Sequence, residues 1–408
     1  DRSRSTCGSY DARIRPWFIA ATSGPKDVIV IIDKSGSMSE DHGCDSRMAT
    51  VKKATQALLG TFTPSDFINV IAFSSGAEIL ADGGTLVRAT QENVDMLKNH
   101  VGGVSEGGGT GFNPAFGTAF NVFKASEDSA TSSGCTRIIL FLTDGQANED
   151  QGSILSTIEA GQAKLAAANQ AHIFTYSMTT DDVDDIPKAV ACANKGAWAK
   201  IQGGADPLTQ MSGYYHFLAS SVNSTDVRWT APYEDAFGMG RMITGARVVY
   251  DNRPIVPVMV NVVGVDVTMA ELEEHGSSST VLETMIERSS GCPAVKYSEC
   301  QMQQIRSTSS GGYQCPNVKT VTECNNIDEI ATVPECTTTV SASPSLNDML
   351  CTALVSDNRL ADMTKTNRGV QCCGVEEDAF APDAMEPEAC DGGTPGWLIA
   401  GIVIAAVV

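Results

Sequence analysis

Residues 28–37 read VIVIIDKSGS, an apolar run followed by an acid and two serines. The five apolar residues 28–32 are typical of a strand that is buried on both faces, as in parallel sheets. Asp33, Ser35 and Ser37 follow directly, so their oxygen atoms lie in the loop after the carboxyl end of that strand. Open α/β sheets bind their ligands at this edge. The stretch therefore predicts an α/β fold and also the place of its site.

Alternating apolar strands and amphipathic helices continue over residues 27–205, which predicts one domain with a doubly wound, mostly parallel, Rossmann-like sheet. Residues 1–26 are too short to hold a core, so we expect them to pack on a later part of the chain. After the first strand, the predicted strands are 67–73, 138–142, 173–176 and 198–201, and the predicted helices are 47–61, 91–100, 114–123, 154–169 and 184–193.

A different pattern begins at residue 206. A helix at 206–221 is followed by strand-like pieces without intervening helices, at 226–229, 241–250 and 255–266. This predicts an antiparallel sheet in a smaller α+β unit over residues 206–275. Residues 276–395 lose apolar periodicity and are rich in Ser, Thr and Cys, which predicts a loop-rich stalk held by disulfides.

Composition limits the compartment and the partners. The chain has 408 residues, which favours more than one domain. Its net charge of −21 argues against nucleic acid as a partner and favours cations. Nine of its 13 cysteines follow residue 290 without any Cys-x-x-Cys pair or interleaved histidine, which argues against zinc and favours disulfides in an oxidising compartment. The odd total leaves one thiol free or paired between chains. Asn223 begins a glycosylation sequon, which fits that compartment.

Residues 397–408, WLIAGIVIAAVV, are apolar throughout. As a helix they would cover only ~18 Å, whereas a bilayer core needs ~20 residues. We interpret residues 396–408 as the start of a transmembrane helix with Trp397 at the interface. A tail removed by a lipid-anchoring enzyme and a buried terminal helix are the alternatives. The polar residues 1–6 contain no signal-peptide core, so the sequence is expected to begin after processing or within a longer product.

Three loops carry a candidate metal site. If strand 28–32 and the strand that precedes Asp144 are neighbours, these loops meet at one edge of the sheet and bring together five side chains: Asp33, Ser35, Ser37, Thr110 and Asp144. Two carboxylates and three hydroxyls suit Mg²⁺ or Ca²⁺. Because only two ligands are anionic, the ion keeps an electrophilic position that can accept a carboxylate from a partner.

Other sites have less support. The glycine run 107–111 lacks the Gly-Lys-Ser/Thr of a phosphate loop, and no Gly-x-Ser-x-Gly motif surrounds Ser35 or Ser37, so a hydrolase is not supported. The five histidines share no helical ligand spacing. Glu40 and Asp41 could form a second calcium site, but a solvated acidic loop is the favoured interpretation.

The combined motifs Asp33-Lys34-Ser35-Gly36-Ser37, Thr110 and Asp144 resemble the metal-ion-dependent adhesion site of von Willebrand factor A domains. That resemblance implies a doubly wound sheet and a metal bound directly or through water by the two serines, the threonine and an acid. It also implies that a partner completes the coordination shell with an acidic side chain.

Sequences on both sides of this domain resemble the alpha-2/delta auxiliary subunits of voltage-gated calcium channels, over about residues 10–272. In that family the adhesion-type domain is inserted in a Cache sensor domain. The matching stretches are Tyr10-Asp11, Arg15-Pro16-Trp17, Cys192-Ala193-Asn194-Lys195-Gly196, Val227-Arg228-Trp229-Thr230, Ile243-Thr244-Gly245 and Gly264-Val265-Asp266-Val267.

This second resemblance implies two further features. A small-molecule pocket would be lined by Arg15, Trp17, Tyr233, Asp235 and Asp266, with the guanidinium on a ligand carboxylate and the acids on its ammonium group. Cys192 would form a disulfide with a cysteine of the 292–390 segment.

We therefore expect an extracellular, single-pass membrane protein of the secretory pathway that binds a protein partner through a divalent cation and is not an enzyme. The partner is either a surface or fibrous glycoprotein, in adhesion or assembly, or a calcium channel, with this chain as an auxiliary subunit. The alternative from another class is a Cache-type sensor of amino acids.

Overall fold

The computed structural model describes residues 16–42, 45–145, 147–166, 169–178, 183–202, 210–211, 214–215, 217–218, 226–234, 240–251, 258–274, 278–292, 315 and 402–406. Within these residues the chain forms a large, mostly parallel sheet, an antiparallel sheet and a two-stranded hairpin.

The large sheet contains seven of the described strands, in the order β5-β4-β1-β7-β8-β9 with β6 beside β4, and the hairpin contains β2 and β3. The bounds are β1 (Lys26–Asp33), β2 (Asp41–His42), β3 (Asp45–Ser46), β4 (Phe67–Phe73), β5 (Ala77–Ile79), β6 (Val87–Arg88), β7 (Thr136–Thr143), β8 (His172–Ser177) and β9 (Trp198–Lys200). β1 pairs in parallel with β4 on one side and β7 on the other, and β8 and β9 extend the parallel part. The predicted α/β fold with a mostly parallel sheet is confirmed.

Helices cover both faces of this sheet. These helices are α2 (Arg47–Leu59), α3 (Gln91–Gly103), α4 (Phe112–Asp128), α5 (Gln151–Gln162) and α6 (Asp185–Ala193), while α1 (Pro16–Ser23) precedes β1. Alternate residues of β1 face opposite layers, since Val28, Val30 and Ile32 pack in the cluster with α2 and α3, while Ile29 and Ile31 pack in the cluster with α4 and α5. This alternation explains the continuous apolar run of the sequence.

Two helices differ most from their predicted bounds. The helix predicted at 154–169 begins at Gln151, because the Asp150 side chain accepts a hydrogen bond from the Ser153 amide at 3.0 Å and caps the helix. It also ends earlier, at Gln162. The helix predicted at 114–123 extends over Phe112–Asp128. Of the helix predicted at 206–221, the described residues 210, 214–215 and 217–218 are helical.

The smaller sheet is antiparallel, as predicted. Its order is β10-β12-β13-β14 with β11 beside β12. The bounds are β10 (Arg228–Trp229), β11 (Tyr233–Glu234), β12 (Arg241–Asp251), β13 (Val258–Thr268) and β14 (Ile402–Ala406). Helix α1 packs on this sheet, with Trp17, Phe18 and Ala21 against Ala246, Val248 and Val262. Helix α1, which belongs to the short segment 1–26, therefore packs on a later part of the chain, as predicted.

The C-terminal apolar run differs from its prediction. Ile402–Ala406 form strand β14, antiparallel to β13, so the predicted helix is wrong for these residues. Their β-branched side chains at 402–404 favour extended backbone, and pairing satisfies the polar backbone edge of β13. Among the described residues, no helix is both long and apolar enough to cross a bilayer.

The region predicted to be loop-rich after residue 276 contains a helix. Two short helices follow β13, α7 (Met269–Glu274) and α8 (Ser278–Ser289). In α8 the apolar residues Val281, Leu282, Met285 and Ile286 recur with helical spacing, and all four are partly buried. This short amphipathic pattern was masked by the surrounding Ser and Thr residues.

Two disulfides tie the large-sheet unit to later residues. Cys135 bonds to Cys292, and Cys192 bonds to Cys315. The bond from Cys192 therefore ends within the 292–390 segment.

Replacing Trp17 tests whether α1 is part of the antiparallel unit. Trp17 is 7% exposed. Trp17→Ala is expected to lower the free energy of unfolding by about 3–5 kcal/mol, because a large buried ring is lost from a packed cluster. Val227→Ala is the control, since Val227 is 44% exposed in the same unit and its truncation should change stability by less than about 0.5 kcal/mol. Equal effects in chemical denaturation would contradict this packing.

Candidate metal centre

Asp33 is the last residue of β1, and its carboxylate is fixed by two hydrogen bonds. The Ser35 amide donates to Asp33 Oδ1 at 2.8 Å, and Thr143 Oγ1 donates to Asp33 Oδ2 at 2.7 Å. The first bond turns the chain directly after the strand, as Asp side chains often do. A four-residue 3₁₀ helix, Gly36–Ser39, follows.

Ser35, Ser37 and Asp144 lie together beside this turn. Ser35 Oγ is 3.1 Å from Ser37 Oγ, and Ser37 Oγ donates a short hydrogen bond to Asp144 Oδ2. Asp144 follows β7, the parallel neighbour of β1, so its position results from the strand order. Asp33, Ser35 and Asp144 are almost fully buried, whereas Ser37 is partly exposed.

The loop that carries Thr110 is hydrogen-bonded to both of the other loops. The Gly36 amide donates to Gly108 O at 3.1 Å and the Gly107 amide donates to Lys34 O at 2.7 Å, while the Asn148 amide donates to Thr110 O at 2.9 Å. Thr110 is 7% exposed. The three predicted loops therefore meet at the carboxyl edge of the sheet.

Two glycines are required by this arrangement. Gly108 has φ +91°, and a Cβ atom there would lie 3.1 Å from Ser74 Oγ. Gly145, directly after Asp144, has φ +93°, and its Cβ atom would lie 2.7 Å from Val183 O. Any other residue at either position would be strained and crowded, which would displace Thr110 or Asp144.

The electrostatics of the site fit a cation. Burial raises the pKa of the Asp33 carboxyl to about 6, and the charge of Asp144 adds to the rise, while hydrogen bonds from Ser35 and Thr143 lower the pKa. Within the described residues, Asp33 has no Lys or Arg partner; its partners are hydroxyls and an amide. A buried carboxylate without a positive partner is costly, and a divalent cation would relieve that cost.

The donor set also suits a hard cation. All five predicted side chains offer oxygen, which Mg²⁺ and Ca²⁺ prefer. In the described part of the chain, no three His, Cys, Asp or Glu side chains cluster in a way that could hold a metal. Binding here would therefore depend on the hydroxyls of Ser35, Ser37 and Thr110 as well as the two carboxylates.

Three residues of the site were missed by sequence reasoning. Thr143 holds Asp33, and Arg47 contacts Asp144, with Nη1 3.4 Å from Oδ2. Glu149 accepts hydrogen bonds from the Phe112 and Asn113 amides, both at 3.1 Å, and so caps α4 from another loop. Of these three residues, only Thr143 could have been predicted from the sequence, because it lies beside Asp144 at the end of a predicted strand.

Glu40 does not stand in an unpaired acidic loop. Its carboxylate pairs with Arg47, with Oε2 2.9 Å from Nη2. Glu40 and Asp41 are nevertheless both exposed, as expected for a solvated acidic loop.

The predicted small-molecule site is partly described. Tyr233 Oη is 2.5 Å from Thr244 Oγ1 and donates to Asp266 Oδ1 at 3.4 Å, while Thr244 Oγ1 donates to Asp266 Oδ1 at 2.6 Å. Trp17 lies beside them, because a Cβ atom on Gly264 would be 3.1 Å from Thr244 Cγ2 and 3.7 Å from Trp17. Arg15, Asp235 and the sequon residue Asn223 lie outside the described residues.

Comparison with known families identifies the domain that carries the three loops. Residues 28–146 match the family model described as von Willebrand factor type A domain. These residues are a von Willebrand factor type A domain. Its matched range ends just after Asp144 and includes all five predicted metal ligands.

Beyond this von Willebrand factor A domain, the chain is homologous to alpha-2/delta subunits. It is 29% identical over 277 residues to voltage-dependent calcium channel subunit alpha-2/delta-2 of Homo sapiens, covering 65% of this chain and 23% of that protein. It is 29% identical over 278 residues to subunit alpha-2/delta-3 of Rattus norvegicus, covering 65% and 24%. The chain thus spans about a quarter of the length of the curated relatives it matches.

Some solved structures align with just over half of this chain. The von Willebrand factor type A protein from Catenulispora acidiphila aligns with a TM-score of 0.38 and 23% identity, over 56% of this chain and 48% of that chain. Manganese-loaded Plasmodium vivax TRAP protein aligns with a TM-score of 0.36 and 11% identity, over 55% and 87%.

Replacing Glu149 tests its role as the cap of α4. Glu149→Gln is expected to lower the free energy of unfolding by about 1 kcal/mol, because the two carboxylate oxygens each accept a charge-assisted hydrogen bond, whereas an uncharged amide has only one accepting oxygen. Glu159→Gln, at an exposed position of α5, is the control and should change stability by less than about 0.5 kcal/mol. Indistinguishable urea melts of the two variants would contradict the capping role.

Proposed function

We propose that this protein binds a protein partner through a divalent cation held by Asp33, Ser35, Ser37, Thr110 and Asp144 in its von Willebrand factor A domain. The observation that carries the proposal is the meeting of Asp33, Ser35, Ser37 and Asp144 from two loops, with the Thr110 loop hydrogen-bonded to both. The ion is Mg²⁺ or Ca²⁺, and it supplies an electrophilic position for an acidic side chain of the partner. The proposal is for a binding protein and not for an enzyme.

The homology supports one class of partner. Relatives named as voltage-dependent calcium channel subunits match 65% of the chain. We therefore propose an auxiliary role beside a membrane channel, with adhesion to a surface or fibrous glycoprotein as the competing role. Co-purification from native membranes separates the two, since a pore-forming protein supports the first and a glycoprotein of the surface or matrix supports the second.

The proposed location is the outer side of a cell membrane, reached through the secretory pathway. Two disulfides, Cys135–Cys292 and Cys192–Cys315, support an oxidising compartment. Glycosylation at Asn223 would accompany this location and is tested by a mobility shift after glycosidase treatment.

Replacing Asp33 tests the metal site directly. Asp33→Asn is expected to weaken Mn²⁺ and Mg²⁺ binding at least about tenfold, because the affinity of an oxygen site depends on ligand charge. Isothermal titration on the purified chain measures this, and partner capture should be lost in the variant and in EDTA.

Asp27→Asn is the matched control for this experiment. Asp27 is also a fully buried carboxylate of β1, but it lies at the opposite end, where it accepts a hydrogen bond from the Ser133 amide at 2.7 Å. The control should lose stability but keep its affinity for metal. Unchanged metal affinity and partner capture in Asp33→Asn would refute the proposed function.

A second candidate function is supported by the contacts around Asp266. Tyr233, Thr244 and Asp266 are hydrogen-bonded to one another, and Trp17 and Thr244 both lie beside Gly264. The Asp266 carboxylate can accept further hydrogen bonds from an ammonium group. We propose a free amino acid as the ligand class, with Arg15 and Asp235 completing the pocket.

A thermal-shift screen of the common amino acids tests this second function. At least one amino acid should raise the Tm of the wild type, and Asp266→Asn and Arg15→Ala should abolish the shift, because each removes a charge that pairs with the ligand. Asp226→Asn is the control, since the Asp226 side chain is 70% exposed. Absence of any ligand-dependent shift in the wild type would count against sensing.

A further inference from the structure

Arg47 is a buried cation in contact with the candidate metal ligands. It is 6% exposed. Its Nη1 lies 3.4 Å from Asp144 Oδ2 and 3.3 Å from Ser37 O, while its Nη2 lies 2.9 Å from Glu40 Oε2. One guanidinium is therefore shared between a carboxylate inside the site and a carboxylate outside it.

Helix stability does not explain this arginine. Arg47 is the first residue of α2, and a helix N-terminus carries partial positive charge, so a cation is unfavourable there. The helix is already capped by Ser46, whose side chain accepts from the Ala49 amide at 3.2 Å. Arg47 Nε is also buried without a hydrogen-bond partner among the described residues, which makes the position costly.

We propose that Arg47 competes with the divalent cation for Asp144 and so sets the metal affinity of the site. This inference rests on the proposed function, because it concerns the regulation of the same metal site. Two positive charges that share one carboxylate repel each other, so each weakens the binding of the other. The interaction is strong in this position because the guanidinium and the carboxylate are both shielded from water.

Glu40 limits this competition. Its side chain is 59% exposed, and it draws the guanidinium away from Asp144. The Arg47 amide also donates to Glu40 O at 2.9 Å, which closes the base of the β2–β3 hairpin independently of the Glu40 side chain. A change of the Glu40 carboxylate alone therefore alters the position of the guanidinium without opening the hairpin.

The experiment is a double-mutant cycle on the full chain, with Mn²⁺ and Mg²⁺ as the probes in isothermal titration. Arg47→Gln should bind Mn²⁺ about tenfold more tightly than wild type, because a like charge near the ion is removed. Glu40→Gln should bind about threefold more weakly, because Arg47 then pairs with Asp144 alone. The double variant should bind like Arg47→Gln, since Glu40 acts only through Arg47.

Two variants control for charge and for buried arginine. Lys34→Gln removes a positive charge from the loop that carries Asp33 and Ser35. Lys34 Nζ pairs there with Glu78 Oε2 at 2.9 Å. Arg137→Gln removes a buried arginine at the other end of β7, where Nη1 donates to Asn169 O at 3.0 Å. Arg47→Gln, Lys34→Gln and Arg137→Gln each remove one positive charge, but only Arg47→Gln should change metal affinity by about tenfold.

A second measurement separates competition from a merely structural role. In EDTA, Arg47→Gln should melt below wild type, because Asp144 and Glu40 lose their positive partner, whereas saturating Mn²⁺ should raise its Tm more than it raises the Tm of wild type. Equal metal affinity of wild type and Arg47→Gln, or equal tightening in Lys34→Gln, would overturn the competition but leave the proposed function intact. Absence of metal binding in both proteins would overturn the proposed function and this inference with it. Binding by Arg47→Gln alone would support the competition.

Discussion

The complete burial of β1 determines which residues must lie around it. Every residue of this strand is buried, including Lys26, Asp27 and Asp33. Such charges need partners inside the protein. At the amino end, Lys26 Nζ pairs with Asp66 Oδ1 at 3.0 Å, and the Asp27 carboxylate lies 4.0 Å from Arg137. At the carboxyl end, Asp33 is held by hydroxyls and an amide. Within the described part of the chain, the buried carboxylate of β1 therefore lies near a cationic side chain at the amino end of the strand but not at the carboxyl end.

Much of this arrangement can be predicted from the sequence because it is local. The run 28–32 fixes the strand, and the spacing of Asp33, Ser35 and Ser37 fixes one loop of the site. Arg47 could not be assigned in this way, because its contact with Asp144 joins residues 97 positions apart and depends on the β2–β3 hairpin. Glu149 is close in sequence to Asp144, but its target is the start of α4, which only the folded chain brings near.

The errors near the C-terminus have a similar cause. The pattern of apolar residues in 397–408 does not distinguish a helix from a strand, and the open edge of β13 decides the structure of Ile402–Ala406. Helix α8 was not predicted from the sequence, because its short apolar pattern is surrounded by Ser and Thr residues. Its end is nevertheless fixed by the antiparallel unit, since Arg228 Nη1 donates to Gly291 O at 2.9 Å and the Trp229 amide donates to Ser289 Oγ at 2.9 Å.

Strand β7 of the von Willebrand factor A domain runs from a disulfide-bonded cysteine to a residue of the candidate metal site. Cys135, which is disulfide-bonded to Cys292, directly precedes its first residue, and Asp144 directly follows its last. A pulling force applied at Asp144 and resisted at Cys135 would act along the strand axis. Parallel pairing with β1 and β8 on its two sides would load many backbone hydrogen bonds in shear at the same time. Tension between the candidate metal site and the Cys135–Cys292 disulfide would therefore be carried by β7.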